Sequence, residues 1–300
     1  MTDGNLIEGT CVSKSILIAG GNSGIGLHVA RTLASRGHHL TLLGRDAEKG
    51  NRALGSFPSG QRGQVRFVKA DLSTHVGVRE AAATLGELSD RWDAVVHTTG
   101  VLMTRDERTA DGLHPMFAVS YLSRYHLTEL LLPALRKSDD PRVVMMTAKV
   151  PVDTVIDYSD FPQYEPFNFA KMRLPIQVAN HHYAAHLART ESGFSTAVIN
   201  AGAAKTDIMR ESPWYMRAGT AVLGPLVLNS IEKSAYNVVE AVDGAAWNTA
   251  AYWNRPGNFD QRTPIDLEAT ITDETVRRSA DIVGTRPGMA PVTQRVSRHA

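Results

Sequence analysis

A short apolar run leads directly into a cluster of glycines near the start of the chain. Residues Ile16–Ala19 are all apolar, and Gly20–Gly26 follows with four glycines among seven residues. A run that is apolar on both faces is typical of a buried parallel strand. Ile25, Val29 and Leu33 then recur every four residues, which indicates one apolar face of a helix. The pattern therefore predicts a strand, a tight glycine turn and a helix in immediate succession.

The same alternation continues along most of the chain, and it fixes the fold class. Further apolar runs indicate strands at Leu40–Leu43, Val65–Ala70, Ala94–Val96, Val143–Met146, Thr196–Ile199 and Ala251–Trp253. Helical stretches lie between most of these runs. Alternating strands and helices form βαβ units and a doubly wound parallel sheet. We therefore predict a single Rossmann-type α/β domain over residues 1–284, followed by a polar tail, 285–300, to which no fold is assigned.

Composition excludes several classes of partner. The 300 residues carry 32 basic and 31 acidic side chains, a formal net charge of +1, which gives no basic footprint for nucleic acid or an anionic membrane. Cys11 is the one cysteine, so an internal disulfide is excluded and a reducing compartment is favoured. We find neither a signal-peptide pattern nor an apolar run long enough to span a bilayer. These observations predict a cytoplasmic protein.

The glycine cluster is a candidate nucleotide-binding turn. Glycines at a strand-to-helix turn let backbone N–H groups approach a pyrophosphate, and the helix N-terminus adds a favourable dipole. A plain turn is the alternative, but the strand and helix on either side favour the binding function.

The end of the second strand indicates which dinucleotide is bound. An acidic residue about twenty positions after the glycines would hold the ribose 2′-hydroxyl of NAD. This chain has Gly44-Arg45 there, and Asp46 comes one position late. An arginine can hold a 2′-phosphate, so the sequence predicts NADP(H). The alternative for Arg45 is a solvated arginine at the surface. Asp71, after the third strand, is a candidate partner of the adenine amino group or, alternatively, a helix N-cap.

These motifs together resemble the short-chain dehydrogenase/reductase family. The family's opening glycine motif corresponds to Ala19–Gly26, its Asn-Asn-Ala-Gly to His97–Gly100, and its Pro-Gly to Ala201-Gly202. Two segments, Gly44–Gly50 and Ala110–Leu113, are most similar to the retinol-dehydrogenase-like branch. The resemblance implies an NADP(H) site formed by Gly20, Asn22, Ser23, Gly24, Ile25, Gly26, Arg45, Asp71, Leu72, Thr98, Gly100, Lys171 and Thr206. It also implies a homo-oligomer.

The catalytic positions of the family are largely replaced. Its Tyr-x-x-x-Lys pair corresponds to Phe167 and Lys171, its serine to Ala148 and its asparagine to Ser120. The resemblance assigns Lys171 to the nicotinamide ribose. Since Phe167 has no proton to give, we expect it to form an apolar wall beside the substrate. Thr147 and Ser120 would orient a carbonyl or a water, and simple packing of both hydroxyls is the alternative.

Three further groups of side chains are candidate functional residues. Tyr164 is a distant substitute for the missing acid. The pair His182 and His186 shares a helix face, but it has no third ligand of suitable spacing, so no metal site is predicted. A substrate lid is expected near 207–230, where the following aromatic and methionine side chains cluster: Met209, Trp214, Tyr215 and Met216. Core packing is the alternative for that cluster.

The replaced residues also resemble, more loosely, the atypical angucyclinone ketoreductases. The function expected is NADPH-dependent reduction of a ketone on a small molecule, an aromatic polyketide or quinone-like substrate. The hydride would come from the cofactor and the proton from the substrate or from water. Two alternatives stay open: an NADP(H)-binding pseudoenzyme with a regulatory or interaction role, and a non-redox cyclase or isomerase.

Overall fold

The computed structural model describes residues 12–151, 154–159, 161–162, 166–202 and 229–284. Within these residues the prediction of a doubly wound α/β fold is confirmed. The strands form one sheet in the order β3-β2-β1-β4-β5-β6-β7-β8. The strands are β1 Ser15–Ala19, β2 His39–Gly44, β3 Val65–Lys69, β4 Ala94–His97, β5 Arg142–Thr147, β6 Ser195–Asn200, β7 Ala250–Trp253 and β8 Thr263–Pro264.

All seven runs predicted as strands are strands, and they pair in parallel. The eighth, β8, was not predicted, because it has only two residues; it pairs with β7 in antiparallel register. β1 and β4 are adjacent, with Ala19 opposite His97, although two strands and three helices separate them in the sequence. This crossover aligns the carboxyl ends of β1, β2 and β4 along one edge.

Helices cover both faces of the sheet. They are α1 Gly24–Ser35, α2 Ala47–Gly55, α3 His75–Leu88, α4 Pro115–Phe117, α5 Ser123–Leu135, α6 Phe169–Thr190, α7 Ile231–Asp243 and α8 Ala269–Val283. The apolar side chains of α1 and α7 form the core on one face, and those of α3, α5, α6 and α8 form the core on the other. A single π-helical turn, Ala118–Leu122, joins α4 to α5.

The C-terminal helix α8 packs across α5 and α6. Tyr121 Oη lies 2.7 Å from Ser279 Oγ, and His182 Nδ1 lies 2.9 Å from Thr272 Oγ1. In the described ranges no helix is both long and apolar enough to cross a membrane. The predicted tail 285–300 and most of the predicted lid near 207–230 lie outside the described residues.

Candidate active site

A cleft of about 450 Å³ runs along the carboxyl ends of the parallel strands. This is where ligands bind in open α/β sheets. The residues predicted for the site that line the cleft are Gly20, Asn22, Ser23, Gly24, Ile25, Gly26, Arg45, Asp71, Leu72, Thr98, Gly100, Ser120 and Thr147. Thr206 and Tyr164, like the aromatic and methionine cluster of the lid, lie outside the described residues.

The glycine turn fits a dinucleotide because two of its glycines have no room for a side chain. A Cβ on Gly26 would lie 2.4 Å from the carbonyl oxygen of Gly20 and from Thr98 Oγ1. Gly20 has φ +86° and the same hydroxyl beside it. Thr98 is fixed there by donating to the carbonyl of Ala19 at 2.8 Å. At the glycine turn, the backbone therefore lies beside the cleft, where no side chain separates its N–H groups from a ligand.

The N-terminus of α1 lies at this turn. Ser23 precedes the helix in extended conformation and makes no side-chain cap bond within the described part of the chain. No acidic residue occupies the first turn of the helix. The first N–H groups of α1 and its positive dipole end are therefore available to a phosphate.

In the turn after β2, Arg45 and Asp46 have different functions. Asp46 Oδ1 accepts the backbone N–H of Lys49 at 2.9 Å, so this carboxylate caps α2. That hydrogen bond lowers the pKa of Asp46. Arg45 is exposed and lines the cleft beside Lys49. In the turn after β2, the cation of Arg45 is therefore available to a ligand, while the carboxylate of Asp46 is engaged by the helix.

Asp71 lies at the same end and does not cap a helix. Its Oδ1 accepts from Ser73 N at 3.0 Å and from Ser73 Oγ at 2.7 Å. The cap of α3 is Thr74, whose hydroxyl accepts from Gly77 N at 3.1 Å. The N-cap alternative for Asp71 is therefore not the observed arrangement, and its carboxylate lines the cleft.

At the other end, the two predicted hydroxyls differ in their surroundings. Ser120 Oγ accepts the backbone N–H of Val101 at 3.1 Å and so holds the loop after β4. Thr147 is buried, and its Oγ1 has no hydrogen-bond partner among the described residues. Thr147 is therefore the better placed of the two to orient a bound carbonyl.

Phe167 and Lys171 do not line the cleft, which corrects the sequence-based placement of both. Phe167 stacks on His114 with 4.7 Å between ring centroids, so it is not the apolar wall expected beside the substrate. Lys171 is exposed, and its charge contributes, after two hydrogen bonds from Ser159, to lowering the pKa of Asp157. Its side chain therefore lies toward the loop that precedes α6.

The beginning of α6 explains this difference. The Asn168 side chain caps the helix by accepting from Lys171 N at 3.1 Å, so α6 begins only at Phe169. Phe167 lies before the helix and Lys171 within its first turn. Gln177, which does line the cleft, follows Lys171 by six residues, or about 120° around the helix. Lys171 and Gln177 therefore point in different directions.

Arg173 and Gln177 are the pair on α6 that line the cleft, together with Leu174. They are four residues apart, which is the spacing of the family's tyrosine and lysine. Gln177 Oε1 accepts the backbone N–H of Ala148 at 3.1 Å, which leaves the amide hydrogens of Gln177 free to face a ligand. The sequence analysis did not identify this pair. Asn168 could have indicated it, because asparagine is a common helix N-cap. A helix that begins after Asn168 leaves Phe167 outside the helix and Lys171 inside it.

A buried arginine beneath the catalytic end was also missed. Arg124 is 2% exposed, and its guanidinium donates to three neutral oxygens. The acceptors are the carbonyl of Met146 at 2.6 Å, the carbonyl of Thr99 at 2.5 Å and Oδ1 of Asn180 at 3.0 Å. Burial lowers the pKa of Arg124 to about 9. Sequence periodicity gave no indication of it, because charged residues are rarely buried.

The histidines of α6 are used within the fold. His182 contacts Thr272, and His186 Nδ1 lies 4.0 Å from Asp273. The part of the chain that the structure describes holds no group of three metal-ligating side chains.

Comparison with known proteins places the fold and cleft in a family. The family model described as short chain dehydrogenase matches residues 14–160, which include the glycine turn, Arg45 and β5. The chain belongs to the short-chain dehydrogenase family. The matched segment ends before α6, so the helix that carries Arg173 and Gln177 lies beyond it.

Relatives of this short-chain dehydrogenase include enzymes of retinol and polyprenol. Human polyprenol dehydrogenase is 24% identical over 75% of this chain and 71% of its own length. Human retinol dehydrogenase 13 is 28% identical over 73% of this chain and 68% of its own length. The resemblance to the retinol-dehydrogenase-like branch is thereby confirmed.

Solved structures share the fold at lower identity. The RhlG/NADP active-site complex of Pseudomonas aeruginosa has a TM-score of 0.57 and 21% identity, covering 83% of this chain and 98% of that one. A short chain dehydrogenase from Salmonella enterica has a TM-score of 0.60 and 21% identity, covering 80% and 95%. At this level of identity, the solved structures show that this short-chain dehydrogenase shares their fold.

Proposed function

We propose that this short-chain dehydrogenase uses NADPH to reduce a ketone on an aromatic polyketide or quinone-like substrate. The observation that carries the proposal is the contrast between the two ends of the cleft. The dinucleotide end retains the glycine turn and an exposed arginine, Arg45. The catalytic end retains a buried hydroxyl on Thr147 and an amide on Gln177, but no tyrosine lines it among the described residues.

Ketone reduction needs a hydride and a proton, and only the first comes from the cofactor when it is bound. A positioned acid is worth about 10²–10⁴ in rate. The hydroxyls of Thr147 and Ser120 are too weakly acidic for that function. The proton is therefore supplied by the substrate or by water.

An aromatic polyketide ketone has the chemistry to do this. A phenol hydrogen-bonded to the neighbouring carbonyl is an intramolecular acid, and well-oriented intramolecular groups are worth up to about 7–11 kcal/mol. That exceeds the loss of the tyrosine, about 3–5 kcal/mol. Leu174, Met116 and Val119 give the catalytic end an apolar lining that suits a flat ring system.

The relatives of this short-chain dehydrogenase suggest a second substrate class. Polyprenol and retinol dehydrogenases act on long apolar alcohols or their carbonyl forms. Retinal has no internal phenol, so the protein should reduce it much more slowly than a hydroxylated aromatic ketone.

The test is single-turnover oxidation of NADPH with two ketones, one bearing a free phenol beside the carbonyl and one bearing its methyl ether. We expect the ether to bind but to react at least about 10²-fold more slowly, the lower limit for losing an acid. Equal rates would refute substrate assistance. Binding of NADPH with no turnover of any ketone, quinone or retinal would favour the pseudoenzyme alternative, and product formation without NADPH oxidation would favour a cyclase or isomerase.

A further inference from the structure

The catalytic end of the cleft carries a buried positive charge that has no carboxylate partner among the described residues. Arg124 lines the cleft, and the acceptors of its two terminal nitrogens are two backbone carbonyls and one side-chain amide. Neutral acceptors satisfy hydrogen bonds without cancelling the charge. An isolated buried cation is costly unless an anion compensates it, so its position beside a cleft calls for an explanation.

Several polar atoms around Arg124 are buried and lack a partner within the described ranges. They are Arg124 Nε, Thr99 Oγ1 and Thr147 Oγ1, and all three residues line the cleft. Buried polar atoms in folded proteins are nearly always hydrogen-bonded. Three unpartnered atoms at one end of a cleft therefore indicate a polar ligand.

Arg173 adds a second guanidinium to the same end. It lines the cleft one helical turn before Gln177, at the spacing that the family gives to its tyrosine. The acidic residues that line the cleft, Asp46 and Asp71, both lie at the dinucleotide end. Among the described lining residues, the catalytic end therefore carries positive charge only.

We propose that Arg124 and Arg173, with the Thr147 hydroxyl, bind an anionic oxygen of the substrate. The substrate class is an aromatic ketone or quinone that carries an ionised enol or carboxylate, in addition to a neutral phenol that is hydrogen-bonded to the reacting carbonyl. This deepens the proposed function, on which it rests for the identity of the site. Guanidinium groups suit planar, delocalised oxyanions because their N–H groups form a rigid fork.

Hydride addition makes the same end chemically useful. When the hydride bonds to the carbonyl carbon, the π electron pair moves to oxygen and forms an alkoxide. A fixed cation in a site shielded from water stabilises that charge as it develops. The alkoxide then takes a proton from the substrate's own phenol or from water, so neither arginine has to give one up.

The test compares 2-hydroxy-1,4-naphthoquinone, which is an anion at neutral pH, with its neutral 2-methoxy ether. Each is titrated into the protein saturated with NADP⁺, so that no turnover occurs. We expect the anion to bind at least about tenfold more tightly, the scale of one charge-assisted hydrogen bond. Arg173→Gln should remove most of this preference and Arg173→Lys should keep part of it. Arg189→Gln, an exposed arginine on the same helix that does not line the cleft, is the matched control.

Arg124 links β5, α6 and the loop after β4, so Arg124→Gln could prevent folding. Thr147→Val is therefore used to test the buried part of the site. It should weaken binding of the anion more than binding of the ether. Equal affinities of the two quinones in the wild type, or a preference that survives in Arg173→Gln and Thr147→Val, would overturn the inference. Binding is measured without NADPH oxidation, so the two proposals can fail separately. If the protein prefers the anion but reduces no ketone, the anion site is supported and the proposed function is refuted.

Discussion

At the scale of single residues, Arg45 is the side chain on which cofactor choice depends. It is exposed at the mouth of the cleft, while the neighbouring carboxylate of Asp46 is engaged in capping α2. Arg45→Ala should lower affinity for NADPH by about 1–3 kcal/mol, the range for a hydrogen bond to a charged group, with little change for NADH. Calorimetric titration of both cofactors measures this.

The control for Arg45 is Arg52→Ala, since Arg52 lies on α2, pairs with Glu48 and does not line the cleft. If both variants lost the same NADPH affinity, the effect would come from the surface charge in general and not from a specific contact of Arg45. Equal affinities of the wild type for NADPH and NADH would refute the proposed preference.

Lys171 and Gln177 provide a second residue-level prediction. The sequence resemblance expects Lys171 to hold the nicotinamide ribose, whereas the cleft is lined by Gln177. Gln177→Ala should weaken cofactor binding by about 0.5–1.5 kcal/mol, because it removes an amide donor and the bond to Ala148 N. Lys171→Ala should leave cofactor binding unchanged. Fluorescence titration of NADPH with both variants measures the two losses of affinity. A larger loss in Lys171→Ala than in Gln177→Ala would support the function that the resemblance assigns to Lys171.

The difference between these two residues shows where sequence reasoning reached its limit. The glycine turn and Arg45 were located because a strand end fixes their position in the fold. No such constraint fixed the register of α6, where two pairs have the same four-residue spacing. The deciding fact is that Asn168 caps the helix, and a cap is recognised reliably only when its hydrogen bond is seen.

At the scale of elements, helix α3 contains two glycines in opposite circumstances. A Cβ on Gly77 would lie 2.0 Å from the carbonyl oxygen of Asp71, which is backbone and cannot move freely. A Cβ on Gly86 meets nothing within 4 Å. Gly77→Ala should therefore destabilise the protein by about 1–3 kcal/mol through overpacking. Gly86→Ala should stabilise it by about 0.5–1 kcal/mol through helix propensity.

Urea unfolding of the two α3 variants measures both free energies of unfolding. Gly77→Ala should also weaken NADPH binding, because the displaced Asp71 lines the cleft, whereas Gly86→Ala should not. Similar stabilities of the two variants would contradict the close approach of Gly77 to the turn after β3.

The longer and more deeply buried an element is, the more readily the sequence predicts it. The seven parallel strands were found because a buried strand is a continuous apolar run. The π-helical turn at Ala118–Leu122 and the two-residue strand β8 have no periodic signature of their own. Each depends on tertiary contacts, such as the pairing of Thr263 with Tyr252.

At the scale of the whole molecule, stability should depend on buried histidines that stay neutral. Burial lowers the pKa of His97 to about 3 and the pKa of His126, His181 and His182 to about 4 each. In the unfolded chain the ordinary value is 6.5. Below pH 6.5 the unfolded state therefore takes up protons that the folded state refuses until about pH 4.

The free energy of unfolding should consequently change little near pH 7.5 and fall as pH decreases from 6.5 toward 4. Each histidine contributes up to about 1.4 kcal/mol per pH unit in that window. Carboxylates whose pKa is lowered, such as Asp93 and Asp140, act only at lower pH, below their ordinary value of 3.8. The loss between pH 6.5 and 5 therefore comes from the histidines. Burial raises the pKa of Glu129, and this group opposes the loss because it takes up its proton first in the folded state. Urea unfolding across that range measures the sum.

His126→Leu isolates one histidine of the four. His126 is buried, and neither ring nitrogen has a hydrogen-bond partner among the described residues, so an apolar side chain of similar size removes a titrating group without breaking a bond. At pH 7.5 the variant should be as stable as the wild type or more so. At pH 5.5 it should be more stable by about 1 kcal/mol, since one fewer proton binds to the unfolded chain. His39→Gln, which changes an exposed histidine at the start of β2, is the control variant. If His126→Leu kept the wild-type slope between pH 6.5 and 5, the acid sensitivity would have to come from groups other than these neutral rings.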